Sequence, residues 1–197
     1  MDDKRRIAVF DFDGTLTRKD SFLEFIRFTQ KPFRILTGFI FYAPLLMLMK
    51  MHLYPNWKAK QQVFSFFFKG WEYSRFKKAG ESFSSVIDAM QNPRGMVLLR
   101  LEQQAASDIY VVSASIEEWL SPWCSSHGIK LVLSTQIEVR EGKLTGNFLT
   151  KNCYGKEKVA RLIEIEPYRD EYVLYAYGDS PGDVEMLQFA DYGIMVK

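Results

Sequence analysis

Residues 7–17 read IAVFDFDGTLT, and the rest of the chain is best understood outward from them. The four apolar residues IAVF (7–10) have no polar break, the pattern of a short strand buried on both faces. Asp11 and Asp13 follow at once, with Gly14 and Thr15 behind them. In extended chain, residues i and i+2 point the same way, so the two carboxylates stand side by side. Like charges this close repel unless a cation or a shared proton compensates. By itself, DFDG is consistent either with an Asp-rich turn or with a metal-dependent active site.

Four more apolar runs share the character of IAVF: IYVV (109–112), LVLS (131–134), YVLYAY (172–177) and YGIMV (192–196). Helical patterns over 95–106, 116–126, 155–166 and 182–190 separate them. This alternation predicts an α/β fold, a Rossmann-like parallel sheet with helices on both faces. Ser115 and Glu118 form an S-x-x-E capping box for the helix over 116–126. IEVREGKLTGNF (137–148) alternates apolar and polar residues around Glu141-Gly142-Lys143, which predicts a hairpin appended to the core.

Residues 18–94 break the rhythm. They hold 13 Lys/Arg against 5 Asp/Glu, a net of +8, while the remainder holds 13 against 19, a net of −6. They also carry 17 of the 30 aromatic residues. A basic, aromatic, mainly helical segment thus interrupts a more acidic one. The expected organisation is an α/β core over 1–17 and 95–197, with a helical cap over 18–94 inserted after the first strand. The total charge of only +2 gives no signal for a nucleic-acid partner.

Within the cap, ILTGFIFYAPLLMLM (35–49) has 15 residues without a charge. A membrane-spanning helix needs about 20 residues, and this run is shorter and contains Pro44. A helix buried inside the cap is the preferred reading. Interfacial attachment is a further one, given Lys31, Arg34, Lys50, Tyr54 and Trp57 at its flanks.

Cys124 and Cys153 are the only cysteines, and no CxxC or Cys/His cluster occurs, so a structural zinc site is not expected. A reducing, cytoplasmic location is the simplest expectation, with membrane association through the cap as the variant. The N-terminal stretch does not read as a secretory signal. His52 and His127 lack partners for a triad and are read as structural or surface residues.

Active sites in parallel sheets lie outside the carboxyl ends of the strands. Asp11 follows the first strand, Ser113 ends IYVVS, and Asp179 and Asp183 follow YVLYAYG in GDSPGD (178–183). Lys156 and Lys158 open the preceding helix. A hard cation such as Mg²⁺ suits carboxylate oxygens. Asp11 could then attack phosphorus, with Asp13 as general acid and base. Ser113 and the N–H of Ala114 could bind phosphate, Thr15 could add a hydrogen bond, and Lys156 or Lys158 could neutralise phosphoryl charge. Taken singly, each residue also has a plain reading. Ser180, Pro181 and Asp183 make an ordinary helix start with a capping box.

Together, DFDGTLT, VVSAS, GKEK and GDSPGD resemble the four motifs of the haloacid dehalogenase superfamily of phosphohydrolases, in order and spacing. The hairpin followed by NCYGKEKVARL, and the insert after the first motif, resemble its phosphoserine-phosphatase-like branch. The resemblance implies a HAD-like core and an Asp11 nucleophile with Asp13 as acid/base. It implies Mg²⁺ held by Asp11, Asp13 (through its backbone carbonyl) and Asp179, with Asp183 in support. Its G-x-x-K pattern implies Lys158 as the motif lysine, although spacing alone also permits Lys156. Asp20 stands where phosphoserine phosphatases usually carry Glu, and DGT where they carry DST. The apolar cap with Asp20-Ser21-Phe22 also resembles phosphatidylglycerophosphate phosphatases of this branch.

The expected function is a Mg²⁺-dependent phosphomonoester hydrolase acting on a small anionic phosphorylated substrate. A lipid phosphate at the membrane surface is the alternative substrate. A non-catalytic membrane or phosphoprotein-binding module is the rival class, but it would not need the set Asp11, Asp13, Asp179 and Asp183.

Overall fold

Strand β1 (Arg5–Phe10) is the middle of a five-stranded sheet, and its residues 7–10 are wholly buried. Side chains alternate between faces along a strand. Ala8 and Phe10 enter one apolar cluster with Leu120 and Trp123, while Ile7 and Val9 enter another with Leu162, Leu174 and Met186. A strand covered on both faces has no solvent side, so IAVF carries no polar alternation.

The computed structural model describes residues 4–51 and 53–196; the reading of His52 as a structural or surface residue lies outside them. After β1 come four cap helices, α1 (Ser21–Thr29), α2 (Pro32–Lys50), α3 (Asn56–Phe68) and α4 (Tyr73–Asp88). The core resumes with α5 (Pro93–Gln104), β2 (Asp108–Ile116), α6 (Glu117–Ser126), β3 (Leu131–Thr135), β4 (Ile137–Arg140), β5 (Lys143–Phe148), α7 (Lys156–Ile165), β6 (Tyr172–Gly178), α8 (Val184–Phe189) and β7 (Tyr192–Met195). The sheet order is β3-β2-β1-β6-β7, with every pairing parallel. Chain direction across the sheet reverses between β1 and β6, and such a switch point opens a crevice at the carboxyl edge.

The aromatic residues of the insert explain how the cap is held. Phe25 stacks on Trp119 of α6 at 4.5 Å and meets Phe76 and Phe83 of α4 edge-on, each at 5.3 Å. Cap and core therefore share one cluster rather than forming two separate interiors. The expected hairpin is β4–β5, and its turn residues Glu141 and Gly142 both have positive φ, +49° and +74°. That is the backbone a two-residue hairpin loop requires. The hairpin leans on the cap: Gly70 N–H donates to the Leu144 carbonyl and Tyr73 N–H to that of Gly142, each at 2.8 Å.

Two expectations are corrected. The Ser115–Glu118 capping box does not form, because β2 extends to Ile116 and Ser115 turns its hydroxyl to Asp13; α6 starts at Glu117 without a side-chain cap. The run 35–49 is not buried inside the cap. It forms most of α2, in which Gly38 is the sole buried residue. The cap interior is already filled by α1, α3 and α4, so α2 is left against their outside.

Candidate active site

The backbone beyond β1 decides how the two aspartates part company. Asp11 N–H continues the parallel ladder to the Tyr177 carbonyl (2.8 Å), so Asp11 is still part of the sheet edge. The chain then turns sharply, with Leu16 N–H and Thr17 N–H both donating to the Phe12 carbonyl (2.9 and 3.0 Å). Gly14 sits in the turn with φ +93°, and a Cβ there would run into the Asp179 carboxylate. Both the conformation and the close approach call for glycine.

Asp11 Oδ1 accepts from Lys158 Nζ at 2.5 Å, and the same ammonium donates to Asp183 Oδ1 at 2.6 Å. Lys158 is only 2 % exposed. A buried lysine is tolerable only when paired, and here two carboxylates flank it. Burial pulls its pKa down, but Asp11 and Asp183 outweigh that and hold it above the ordinary lysine value. Helix α7 delivers this side chain. Its start is tied to the loop after β6 by Gly155 N–H donating to the Gly182 carbonyl (3.0 Å). Lys156, two residues earlier, is exposed and stays away from the cluster.

Asp183 does two jobs. Its other oxygen, Oδ2, accepts from Ser180 Oγ (2.8 Å), Ser180 N–H (3.0 Å) and Asp179 N–H (3.2 Å), so the Ser180–Asp183 capping box is present. The helix-start reading and the site reading hold together. Thr15 Oγ1 donates to Asp179 Oδ1 at 3.3 Å, so Thr15 steadies that carboxylate. Oxygens of Asp11, Asp179 and Asp183 lie within 4.8 Å of one another. Three converging hard oxygen donors suit a divalent cation of the Mg²⁺ type. The Asp13 carboxylate is outside this group.

Asp13 faces the other way. Its Oδ1 accepts from Ser21 N–H (2.7 Å), and its Oδ2 accepts from the Ser115 hydroxyl. The Ser21 and Ser115 hydroxyls lie 2.9 Å apart, and Trp119 Nε1 donates to Ser21 Oγ at 3.1 Å. One carboxylate thus joins the lysine and the acids, while its neighbour is held by a backbone N–H from the cap and a hydroxyl from β2. Burial pushes Asp11 up to about 7, with Lys158 pulling against it. Burial and the charge of Asp20 push Asp13 up to about 6. Burial and Asp183 raise Asp179.

Ser113 is buried within β2, three residues before the strand's end, and, two residues from Ser115, shares its face. The β2–β3 pairing is irregular between Val112 and Ile116, which re-aims this segment. Ser113 Oγ accepts from Ser115 N–H at 3.0 Å. Asp11, Asp13, Ser113, Ala114, Lys158 and Asp183 all line one cavity of about 540 Å³.

Three residues that the sequence reading did not assign to the site belong to its framework. Ser115 holds Asp13. Asn92 caps α5 and donates Nδ2–H to the Gly14 carbonyl at 3.1 Å. Lys60, from cap helix α3, donates to the Ala114 carbonyl at 2.9 Å and lines the cavity. An S-A-S spacing after IYVV was visible for Ser115; nothing local marked Asn92 or Lys60.

A doubly wound parallel sheet with paired aspartates at its switch point, a buried lysine and a helical cap over the crevice define a phosphate-ester hydrolase. The family model for the haloacid dehalogenase-like hydrolases matches residues 8–188, and the chain belongs to that family. It is 30% identical over 187 residues to protein CicA of Caulobacter vibrioides, covering 94% of this chain and 83% of that one. It is 26% identical over 205 residues to a probable phosphatase of Mycobacterium tuberculosis, covering 98% and 69%. Among solved structures, a Bordetella pertussis protein of unknown function superposes with a TM-score of 0.82 at 20% identity, covering 95% and 87%. A phosphoserine phosphatase in a phospho-aspartyl intermediate analogue superposes with a TM-score of 0.63 at 18% identity, covering 95% and 84%.

Proposed function

We propose that this phosphatase hydrolyses a phosphomonoester in two steps through a phosphorylated Asp11. The observation that carries the reading is Lys158 held between Asp11 and Asp183 on the floor of the same cavity that Asp13 and Ser113 line. Asp11, Asp179 and the backbone of Asp13 would hold Mg²⁺, with Asp183 fixing the arrangement. When bound, the cation supplies charge neutralisation for the carboxylates and the phosphoryl oxygens.

An Asp11 carboxylate oxygen attacks phosphorus and forms an acyl phosphate as the bond to the ester oxygen breaks. Asp13 gives its proton to the departing alkoxide, so an alcohol leaves. Ionised Asp13 then takes a proton from water, and the resulting oxygen nucleophile attacks phosphorus. Inorganic phosphate departs and the Asp11 carboxylate is restored. The separate holding of Asp13 by Ser115 and Ser21 keeps it off the nucleophile and free for this proton traffic. Lys158 and the Ser113 hydroxyl stabilise charge on the equatorial phosphoryl oxygens. Residues 18–94 act as the cap, and Lys60 brings a cap cation to the cavity.

A second reading concerns the alcohol. Phe22, Leu23, Phe39, Leu46, Met49 and Val63 form the cavity's apolar wall. That lining favours an amphiphilic phosphate ester, a lipid phosphate, over phosphoserine. The test is a panel of phosphate esters with Mg²⁺ that includes phosphoserine and phosphatidylglycerophosphate. Phosphate release that requires Mg²⁺ and is lost in Asp11→Asn is expected. No turnover across the panel would overturn the hydrolytic reading.

A further inference from the structure

We infer that the outer face of α2 is a docking surface for an anionic lipid bilayer, on which the cap lies flat. Phe33 is 77%, Ile40 66%, Phe41 70% and Met47 66% exposed, and Leu36 and Leu48 are also exposed. These positions recur at the three- and four-residue spacing of one helix face. The opposite face carries Ile35, Tyr42 and Leu46, which pack on the cap cluster. A helix apolar all round belongs in an interior or a membrane, and among the described residues α2 has protein on one side only. By length and composition it is apolar enough to cross a bilayer.

Charge selects the occupant. Residues 25–71 contain seven Lys/Arg and no Asp/Glu; Arg27 pairs with Glu24 just ahead of them, and Lys50 and Lys60 line the cavity. Lys31 and Lys50 stand at the two ends of α2, and Lys58 lies over the Trp57 ring at 5.4 Å. Exposed Lys31 and Lys58 near an apolar face, with Trp57 next to Lys58, match an interfacial helix on acidic headgroups, while Lys50 lines the cavity. A second copy of the chain fits less well, because a two-fold contact through this face would set the acid-free segment against itself. A span fits less well too. Gly38 packs against Phe66 and Phe67, Arg34 donates to the Phe66 carbonyl at 3.1 Å, and Phe39, Leu46 and Met49 wall the cavity. Threading α2 through a bilayer would strip all of these. With α2 lying flat, its inner side lines the cavity and its outer side meets lipid, so an amphiphilic ester has a short path between them.

The test is co-sedimentation with vesicles of phosphatidylcholine alone and of phosphatidylcholine mixed with phosphatidylserine. Intact protein should pellet with the mixed vesicles and not with phosphatidylcholine alone. Ile40→Glu with Met47→Glu should abolish pelleting while leaving circular dichroism and turnover of a soluble aryl phosphate unchanged. Lys31→Gln and Lys58→Gln should each weaken binding about fivefold. Asp11→Asn should bind as the parent does, so failure of the catalytic reading and failure of this one are separable. The inference is overturned by absence of vesicle binding, by equal binding to both vesicle types, or by binding that the paired glutamates leave intact. Light scattering that shows a dimer abolished by Ile40→Glu overturns it in favour of self-association. Resistance to alkaline extraction from membranes overturns it in favour of a span.

Discussion

Strand β1 and helix α2 each carry an uncharged apolar run, residues 7–10 and 35–49, and the two runs meet opposite fates. In β1, residues 7–10 are wholly buried, and the strand ends by delivering Asp11 to the crevice. In α2, a run nearly four times as long buries Gly38 alone. The difference lies in what surrounds them. β1 is central in a sheet, hydrogen-bonded to β2 and β6 and covered on both faces. α2 has one flank on the cap, and its other flank has nothing from the described residues over it. Apolar content alone therefore says that a segment leaves water, not what it leaves water for.

The largest expected effect lies at the end of β1. Asp11→Asn should lower turnover by about 10³-fold or more while leaving the fold and the α2 surface intact. Steady-state phosphate release, with circular dichroism as control, checks it. The next test sets like against like. Phe10→Ala should cost about 3–5 kcal/mol of stability in urea unfolding, because it opens a cavity beneath the sheet. Phe33→Ala should change stability by less than about 0.5 kcal/mol, since that ring is already in solvent.

Asp13 gives a smaller effect. Ser115→Ala removes the hydroxyl that donates to its Oδ2 and should lower kcat about 10-fold with little change in KM, the loss expected for a hydrogen bond to a charged group. The smallest effect lies at the seam between cap and core. Glu118 of α6 packs under Gly80 of α4, and its Oε2 has no hydrogen-bond partner among the described residues. Burial, with Glu117 nearby, pushes Glu118 up to about 7. A raised acid favours the fold while protonated, so this contribution is complete below the ordinary glutamate pKa and is lost as pH rises through about 7. Glu118→Gln should raise Tm at pH 8 and leave it nearly unchanged at pH 4, read by thermal unfolding.

Much of the site was legible because it is local. IAVF ahead of DFDG, GDSPGD after YVLYAYG and the turn at Glu141-Gly142 each act within a few residues, where propensity and spacing operate. Lys158 rather than Lys156 is a matter of helix phase: two positions along α7 rotate a side chain by about 200°, which separates the buried ammonium from the exposed one. Ser115 was misread because S-x-x-E is a valid local signal. The pull of Asp13, 102 residues away in the chain, overrode it. Asn92 and Lys60 had no local signature, because each acts on a loop that the chain reaches only after folding.

The sequence by itself determined the parallel α/β core, the paired aspartates at its edge and the basic, aromatic insert, since periodicity and motif spacing are properties of neighbours along the chain. Only the tertiary structure decided that Asp11 joins Lys158 while Asp13 joins Ser115 and Ser21. It alone decided that the most apolar helix stands outside the cap. Both outcomes depend on which surfaces pack against each other, and packing is settled between segments far apart in sequence.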